Sequence, residues 1–419
     1  MLRIRGGDAV TNEAATNEAA TKEAVTNIDV PFVVSFTHRL RQTVDVSGAD
    51  FAVLTDLLET DAKQPAKVLL WVDSHLDDAG REASSGRAST ADAENFAARL
   101  HARMADCDRI DLAAPMHRIP GGEVCKNSDA LLRQLLQLIN EHDMDRRSYI
   151  VVAGGGAVLD VAGYAAAIAH RGIRLIRLPS TTLAQADSGV GVKNAVNQFG
   201  KKNWIGTFAV PWAVINDTAI LQSLPDRDFR SGLTEAIKVA LLKDPELFRF
   251  IRDHADAIQR RDEAICTEVI ARSCRLHLDH ITLGGDPFES LEARPLDFGH
   301  WSAHRLEPMT RYELRHGEAV GIGVALDTLY SARKFGLPHE TALEVCHTIA
   351  SIGAPIWCSA IDDGDAVLKG LEEFRQHLGG RLTVTMLRDI GESINVHEID
   401  IDVMKSCIDK LRELSAVTH

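Results

Sequence analysis

Three histidines and one glutamate have the types and spacing for a divalent-metal site. Asp297-Phe298-Gly299-His300 leads into a segment where His304 follows four residues on, and His316 comes later in Arg315-His316-Gly317-Glu318. On a helix, His300 and His304 share a face. Imidazoles plus one carboxylate, with positions left for water or substrate, make a catalytic site for a divalent ion. Glu235, in Thr234-Glu235-Ala236-Ile237-Lys238, is the best carboxylate, because it begins an otherwise apolar helix with Lys238 one turn later. Any single histidine among 17 is more often structural, so the weight rests on the group.

Other clusters suit anions. Gly154-Gly155-Gly156 stands where an apolar run hands over to a helix-period stretch. Glycines there let the backbone approach a diphosphate, whose charge suits a helix N-terminus. The turn is not GxGxxG, so the standard dinucleotide fingerprint is not met. Asp73, at the end of an earlier apolar run, can accept hydrogen bonds from a cofactor ribose or serve only as a strand-end turn residue. Glu123 and Lys126, in Gly-Gly-Glu-x-x-Lys, read alone as solvated charges. Asp187 to Asn194, followed by Gly200-Lys201-Lys202-Asn203, mixes small residues with lysine and asparagine. That mixture fits a phosphate or polyol, and equally a flexible solvent loop. Arg171 could add a guanidinium to the same anion.

These groups need a scaffold, and the apolar runs supply one. Lys67 to Asp73, Ser148 to Ala153 and Ile173 to Leu178 read as buried strands, and Val158 to Ala166 reads as a helix. Strand, glycine turn, helix, strand is a βαβ unit, which implies a parallel sheet. From about Thr218 the patterns become long and amphipathic, as in Leu233 to Phe250 and Glu318 to Lys334, so the second half is helical. The expected division is a tail over 1–28, an α/β domain over 29–220 and a helical domain over 221–419. Within the tail, threonine recurs at Thr11, Thr16, Thr21 and Thr26. A period of five matches neither helix nor strand and predicts a disordered or weakly helical segment. Gly80 to Ala93 reads as a surface loop or insertion.

Composition narrows the class. The chain has 419 residues, 46 Lys+Arg against 60 Asp+Glu (net −14), 45% hydrophobic and 25% charged residues. That is globular composition with room for two or three domains, not a disordered or fibrous chain. No run of about 18 apolar residues predicts a membrane span, and the acidic total argues against nucleic acid as the main partner. The N-terminus lacks the apolar stretch of a secretory signal. Seven cysteines without a CxxC pair read as reduced, mostly structural thiols, and the expected compartment is the cytoplasm.

Together and in this order, GGGAVLD, Leu178-Pro179-Ser180-Thr181-Thr182, Asp187 to Lys193, Gly200-Lys201-Lys202-Asn203, Glu235-x-x-Lys238, Asp297-Phe298-Gly299-His300 and His316-Gly317-Glu318 resemble the sugar phosphate cyclase superfamily, whose best-known member is 3-dehydroquinate synthase. The match runs from roughly Lys67 to Asp402. The resemblance implies an α/β N-terminal NAD-binding domain with a parallel sheet, an all-α C-terminal metal-binding domain, a cleft between them and a homodimer. Carried over by position, it makes Glu235, His300 and His316 the ligands of Zn²⁺, Co²⁺ or another divalent ion. It assigns NAD to Asp73, Glu123, Lys126, Gly154, Gly155, Gly156, Asp160, Thr181 and Thr182. Asp187, Lys193, Lys202, Asn203 and Lys238 would line the substrate site, with Arg171 reaching the substrate phosphate. His304 becomes a substrate contact and not a fourth ligand.

Departures bear on the substrate. Where 3-dehydroquinate synthases carry Arg-x-x-x-Asn-x-Gly-His, this chain has Ala293-Arg294-Pro295-Leu296-Asp297-Phe298-Gly299-His300. The arginine that helps hold a carboxylate is lost from its position, and anionic Asp297 replaces asparagine. A carboxylate there is repelled, whereas a polyol hydroxyl finds an acceptor. The Arg294-Pro295-x-Asp297-Phe-Gly-His pattern looks like the sedoheptulose 7-phosphate cyclases. Trp301-Ser302-Ala303 departs from the Ser-Pro usual in 2-epi-5-epi-valiolone synthases, and His277 stands where a lysine is expected. The implied reaction is transient oxidation by NAD⁺, β-elimination of phosphate, reduction and intramolecular aldol closure, giving 2-epi-valiolone or a stereoisomer. The alternatives are a dehydroquinate-forming reaction, a metal-dependent polyol dehydrogenase of the same fold, and a non-catalytic ligand-binding protein.

Overall fold

Strand β2 (Ala66–Asp73) shows why the sheet was legible: Val68, Leu70 and Val72 enter one core, while Leu69 and Trp71 enter another. Strands buried on both faces read as unbroken apolar runs, as parallel sheets covered by helices require. The computed structural model describes residues 28–60, 64–76, 95–284, 287–288, 296–377 and 380–417. The threonine-repeat tail, apart from its last residue, and the Gly80–Ala93 stretch therefore lie outside the described residues, as does Arg294. Residues 28–36 are an exposed segment without regular structure, and Thr37–His419 form one compact unit.

The strands are β1 (Leu40–Thr43), β2, β3 (Ile110–Leu112), β4 (His117–Ile119), β5 (Tyr149–Gly154), β6 (Arg174–Pro179), β7 (Lys193–Gln198), β8 (Lys201–Phe208), β9 (Ala213–Asp217), β10 (Val384–Asp389) and β11 (Glu392–Val396). The helices are α1 (Phe51–Asp56), α2 (Phe96–Ala105), α3 (Asp129–Glu141), α4 (Gly156–Ile168), α5 (Asp226–Lys243), α6 (Pro245–Asp253) and α7 (Ala255–Gln259). They continue with α8 (Glu263–Leu283), α9 (His300–Met309), α10 (His316–Lys334), α11 (His339–Ser351), α12 (Gly364–His377) and α13 (Ile401–Val417). This is a parallel-sheet N-terminal domain followed by a helical C-terminal domain.

The sheet runs β1-β9-β6-β5-β2-β3, with β4 also pairing β2 and every pair parallel. β3 pairs with residues 66–68 and β4 with 71–73, so the two make one interrupted edge strand. From β2 the chain goes to that edge, then returns to the other side of β2 as β5. The order reverses there, and ligands of open α/β sheets bind outside the C-terminal strand ends at such a reversal. Asp73 and Gly154 are those ends: a Cβ on Gly154 would stand 3.4 Å from the Asp73 Cβ.

Two expectations change in detail. The Leu233–Phe250 pattern is two helices, because Asp244 accepts from Glu246 N and Leu247 N and Pro245 opens a new helix. The Asp187–Asn203 stretch is not a flexible loop. Asp187 lies in a turn of π-helix (Ala184–Ser188), and β7 and β8 form an antiparallel hairpin. The helical domain also carries a β10–β11 hairpin.

Candidate active site

Glycines bring the metal-site helices together. A Cβ on Gly317 would collide with Ser231 O, so the first turn of α10 lies directly on α5, one turn before Glu235. A Cβ on Gly323 would collide with Gly299 O, so α9 opens against α10. Gly299 has φ 77°, a left-handed conformation that glycine adopts without strain. Asp327, buried on α10, accepts from Gly299 N at 3.1 Å and Trp301 Nε1 at 2.8 Å, which fixes the backbone on both sides of His300. At the start of α10, Glu318 accepts from Arg315 N and from the Arg227 guanidinium, holding the turn that carries His316.

The result is a convergent donor set. Glu235 Oε1 stands 3.5 Å from His300 Nε2 and 3.4 Å from His316 Nε2. Four donors about 2.1 Å from one ion in a tetrahedron would be about 3.4 Å apart, so the residues fit a divalent cation. Both imidazoles turn their other nitrogen to an acceptor: His300 Nδ1 to Phe298 O at 3.2 Å, His316 Nδ1 to Glu307 Oε2 at 3.3 Å. Burial works against the Glu235 charge, but Lys238 and the imidazoles outweigh it and hold the carboxyl well below its ordinary range. His316 is likewise opposed by burial, yet Glu307 and Glu235 lift it to about 10. His304 completes a triangle of rings, with centroids 5.3 Å from His300 and 5.9 Å from His316, beside the Glu235 trio and not within it. Burial and the neighbouring imidazoles push it down to about 3.

Next to the trio, Lys238 Nζ lies 2.5 Å from Glu235 Oε2 and 3.5 Å from Asp187 Oδ2. Burial disfavours its charge, but Glu235 and Asp187 keep it protonated. His277 Nδ1 sits 3.1 Å from the other Asp187 oxygen, and burial lowers its pKa. The charge of Asp297 acts on both Lys238 and His304, and that of Lys193 on His277. Lys202 Nζ pairs with Glu307 Oε1 at 2.6 Å. Behind this wall, buried Arg177 donates to Gly189 O, Gly191 O and Asn194 Oδ1, gathering the loop between Asp187 and Lys193.

A second polar network lies at the sheet reversal. Gly155 caps α4, and a Cβ on Gly154 or Gly156 would press on Val158 or Ser188, so close packing as well as ligand access requires glycine there. Lys126 is buried, contrary to its reading as a solvated charge: it pairs with Asp160 Oδ2 at 2.6 Å and with Asn203 Oδ1. Burial raises the Asp160 pKa against the pull of Lys126. Glu123 accepts from Asn197, whose amide oxygen in turn holds Asn203 N. Asp73 accepts from His75 N at 3.0 Å and lies 2.9 Å from His75 Nδ1, a turn role that leaves its second carboxylate oxygen out of both contacts. Thr181 Oγ1 accepts from Ala184 N, while Thr182 Oγ1 donates to Phe229 O at 2.7 Å, so that hydroxyl serves the join to α5 and does not face the glycine turn.

One expected residue is not gathered. Arg171 is exposed just before β6, at the opposite end of that strand from Pro179 and the Thr181–Asp187 stretch, about 20 Å along the strand at about 3.3 Å per residue. Three residues escaped sequence reading: Glu307, Asp327 and Arg177. Glu307 had a signal, because positions 300, 304 and 307 share one helical face.

The N-terminal 3-dehydroquinate synthase family model matches residues 116–231 and the C-terminal one residues 232–373. The 3-dehydroquinate synthase of Halorhodospira halophila is 34% identical over 262 residues, spanning 62% of this chain and 73% of that protein. Among solved structures, 2-epi-5-epi-valiolone synthase from Streptomyces hygroscopicus subsp. jinggangensis 5008, with NAD⁺ and Zn²⁺ bound, superposes with TM-score 0.80 at 23% identity, over 92% of this chain and 99% of that one. A 2-deoxy-scyllo-inosose synthase complexed with carbaglucose-6-phosphate, NAD⁺ and Co²⁺ gives 0.69 at 22% identity, over 88% and 96%. Fold and family match define the class as the dehydroquinate synthase-like sugar phosphate cyclase superfamily. The chain belongs to the 3-dehydroquinate synthase family.

Proposed function

We propose that this chain is an NAD- and divalent-metal-dependent cyclase that closes sedoheptulose 7-phosphate into a C7 cyclitol, 2-epi-valiolone or a stereoisomer, with loss of phosphate. The observation that carries the substrate choice is Asp297, whose charge acts on Lys238 and His304. Two like charges about 4 Å apart repel by about 4 kcal/mol at an effective dielectric of about 20, enough to disfavour a substrate carboxylate beside it. A hydroxymethyl group meets no such penalty and gains an acceptor.

Glu235, His300 and His316 would hold the ion, and Gly154–Gly156, Asp160, Asp73, Glu123, Lys126, Thr181 and the Thr182 backbone would hold NAD. When bound, the ion supplies Lewis acidity toward a carbinol oxygen and NAD a recycled hydride acceptor. His304, held neutral by burial and the neighbouring imidazoles, would contact a substrate oxygen, and Asp187 would accept from a polyol hydroxyl. Lys193, Lys202 and Asn203 face phosphate and hydroxyl oxygens, and the working form would be a homodimer.

One observation favours a second reading: relatives at 33–34% identity are 3-dehydroquinate synthases. Incubating the protein with sedoheptulose 7-phosphate or a heptulosonate 7-phosphate, with product identification by NMR, separates the two. Turnover of the carboxylated sugar alone would sink the Asp297 argument. Net NADH at 340 nm without phosphate release would point to a polyol dehydrogenase.

A further inference from the structure

Glu307 is a buried carboxylate with no part in the proposed cyclase chemistry. It is 3% exposed, lies on α9 one turn beyond His304, and uses its two oxygens in different directions. Oε2 faces His316 Nδ1 at 3.3 Å, and Oε1 faces Lys202 Nζ at 2.6 Å. The same His316 presents Nε2 to Glu235. An imidazole with a carboxylate on Nδ1 keeps its proton there and leaves the Nε2 lone pair for a metal; such partners orient the ring and raise its basicity. His300 reaches the same tautomer through a backbone carbonyl, so Glu307 does for His316 what the Phe298 carbonyl does for His300.

Resting on the metal-binding reading, we infer that Glu307 is a positioning residue that fixes the Nε2-ligating tautomer of His316 and, through its second oxygen, ties that ligand to Lys202. The lysine sits on β8, in the sheet-bearing domain, and the histidine on α10, in the helical one. One carboxylate thus links β8 to α10 and ties the position of Lys202 to that of His316. His304, Glu307 and His316 also lie close enough to share a second ion. A lysine contact does not separate the two arrangements, since Lys238 pairs with Glu235 as Lys202 pairs with Glu307; the number of zinc ions per chain does.

The test is zinc affinity of the full chain, measured by competition with a chromophoric chelator, for wild type and Glu307→Gln. Loss of an outer carboxylate on a ligating histidine weakens metal binding about 10–100-fold, and that rise in Kd is expected with one zinc per chain in both proteins. An unchanged Kd in a folded Glu307→Gln overturns the inference. Two zinc ions per wild-type chain, one of them lost in Glu307→Gln, overturn it by making Glu307 a ligand. Should Glu307→Gln fail to fold, ¹⁵N histidine NMR of the zinc-loaded wild type decides: His316 protonated at Nδ1 and ligated through Nε2 supports the inference, and the reverse refutes it. A wild type that binds no zinc at all removes the metal reading itself, whereas wild-type binding with an indifferent Glu307→Gln removes only the role of Glu307.

Discussion

Replacing Asp327 by asparagine tests whether a buried carboxyl pins the His300 turn. The side chain is fully buried on α10 and accepts from Gly299 N and Trp301 Nε1; burial outweighs these two hydrogen bonds and raises its pKa from 3.8 to about 7. Because the folded pKa lies above the unfolded one, the folded state holds the extra proton, and this contribution to stability is lost as pH rises from about 4 to about 7. At 1.36 kcal/mol per pKa unit the full swing is about 4 kcal/mol. For roughly 380 residues the unfolding entropy is about 0.8 kcal/mol/K, which converts that swing into about 5 °C of Tm. Asparagine keeps the shape but does not titrate, so the Tm of Asp327→Asn minus that of wild type becomes more positive by several degrees between pH 4 and pH 8. The absolute Tm of the variant is immaterial, since an amide leaves one donor poorly met at any pH. Thermal melts at the two pH values, in chelator, read the difference directly. Parallel shifts in the two proteins would show that Asp327 stays ionised and that the clamp is an ordinary charged hydrogen bond.

Gly317→Ala forces a methyl group into Ser231 O; overpacking of this kind costs about 1–3 kcal/mol, and zinc affinity by chelator competition should fall with it as α10 moves away from Glu235. Lys238→Met leaves the buried Glu235 charge without its lysine, a change worth about 3–5 kcal/mol; melts with and without zinc should show a larger loss in the metal-free protein, where no ion compensates. Lys126→Met removes the cation between Asp160 and Asn203, and NAD⁺ affinity by calorimetry should drop about tenfold or more while zinc affinity holds. Burial pushes the thiols of Cys125, Cys266, Cys274 and Cys346 up to about 12, so iodoacetamide at pH 8 should label them only after unfolding, as peptide mass spectrometry would show.

The parallel sheet was readable because strands buried on both faces leave continuous apolar runs, and Ala66–Asp73 and Tyr149–Gly154 fall within a residue or so of their expected bounds. The α5–α6 break was hidden because apolar spacing carries on across Asp244-Pro245 while the axis does not. The β7–β8 hairpin looked like a loop because β8 is largely exposed and carries little apolar signal. At the metal site, residue types and motif order were enough to name Glu235, His300 and His316, which do converge. Glu307 and Asp327 were missed for a common reason: each works through a contact to another helix or strand, and nothing in a linear pattern reports a partner 105 or 26 positions away. Arg171 stands at the opposite end of β6 from the other expected residues of this chain, a separation that its closeness to them in sequence does not report.

The glycine contacts that seat α10 on α5 and α9 on α10 divide the molecule into parts that can and cannot drift. Gly299, Gly317 and Gly323 admit no Cβ without prising the ligand-bearing helices apart. Asp297 and His277, half-buried near Lys238 and Asp187, are held by no such glycine contact and differ from the residues expected there. Change should therefore accumulate at positions of this kind, while the glycine-packed frame that gathers Glu235, His300 and His316 stays fixed.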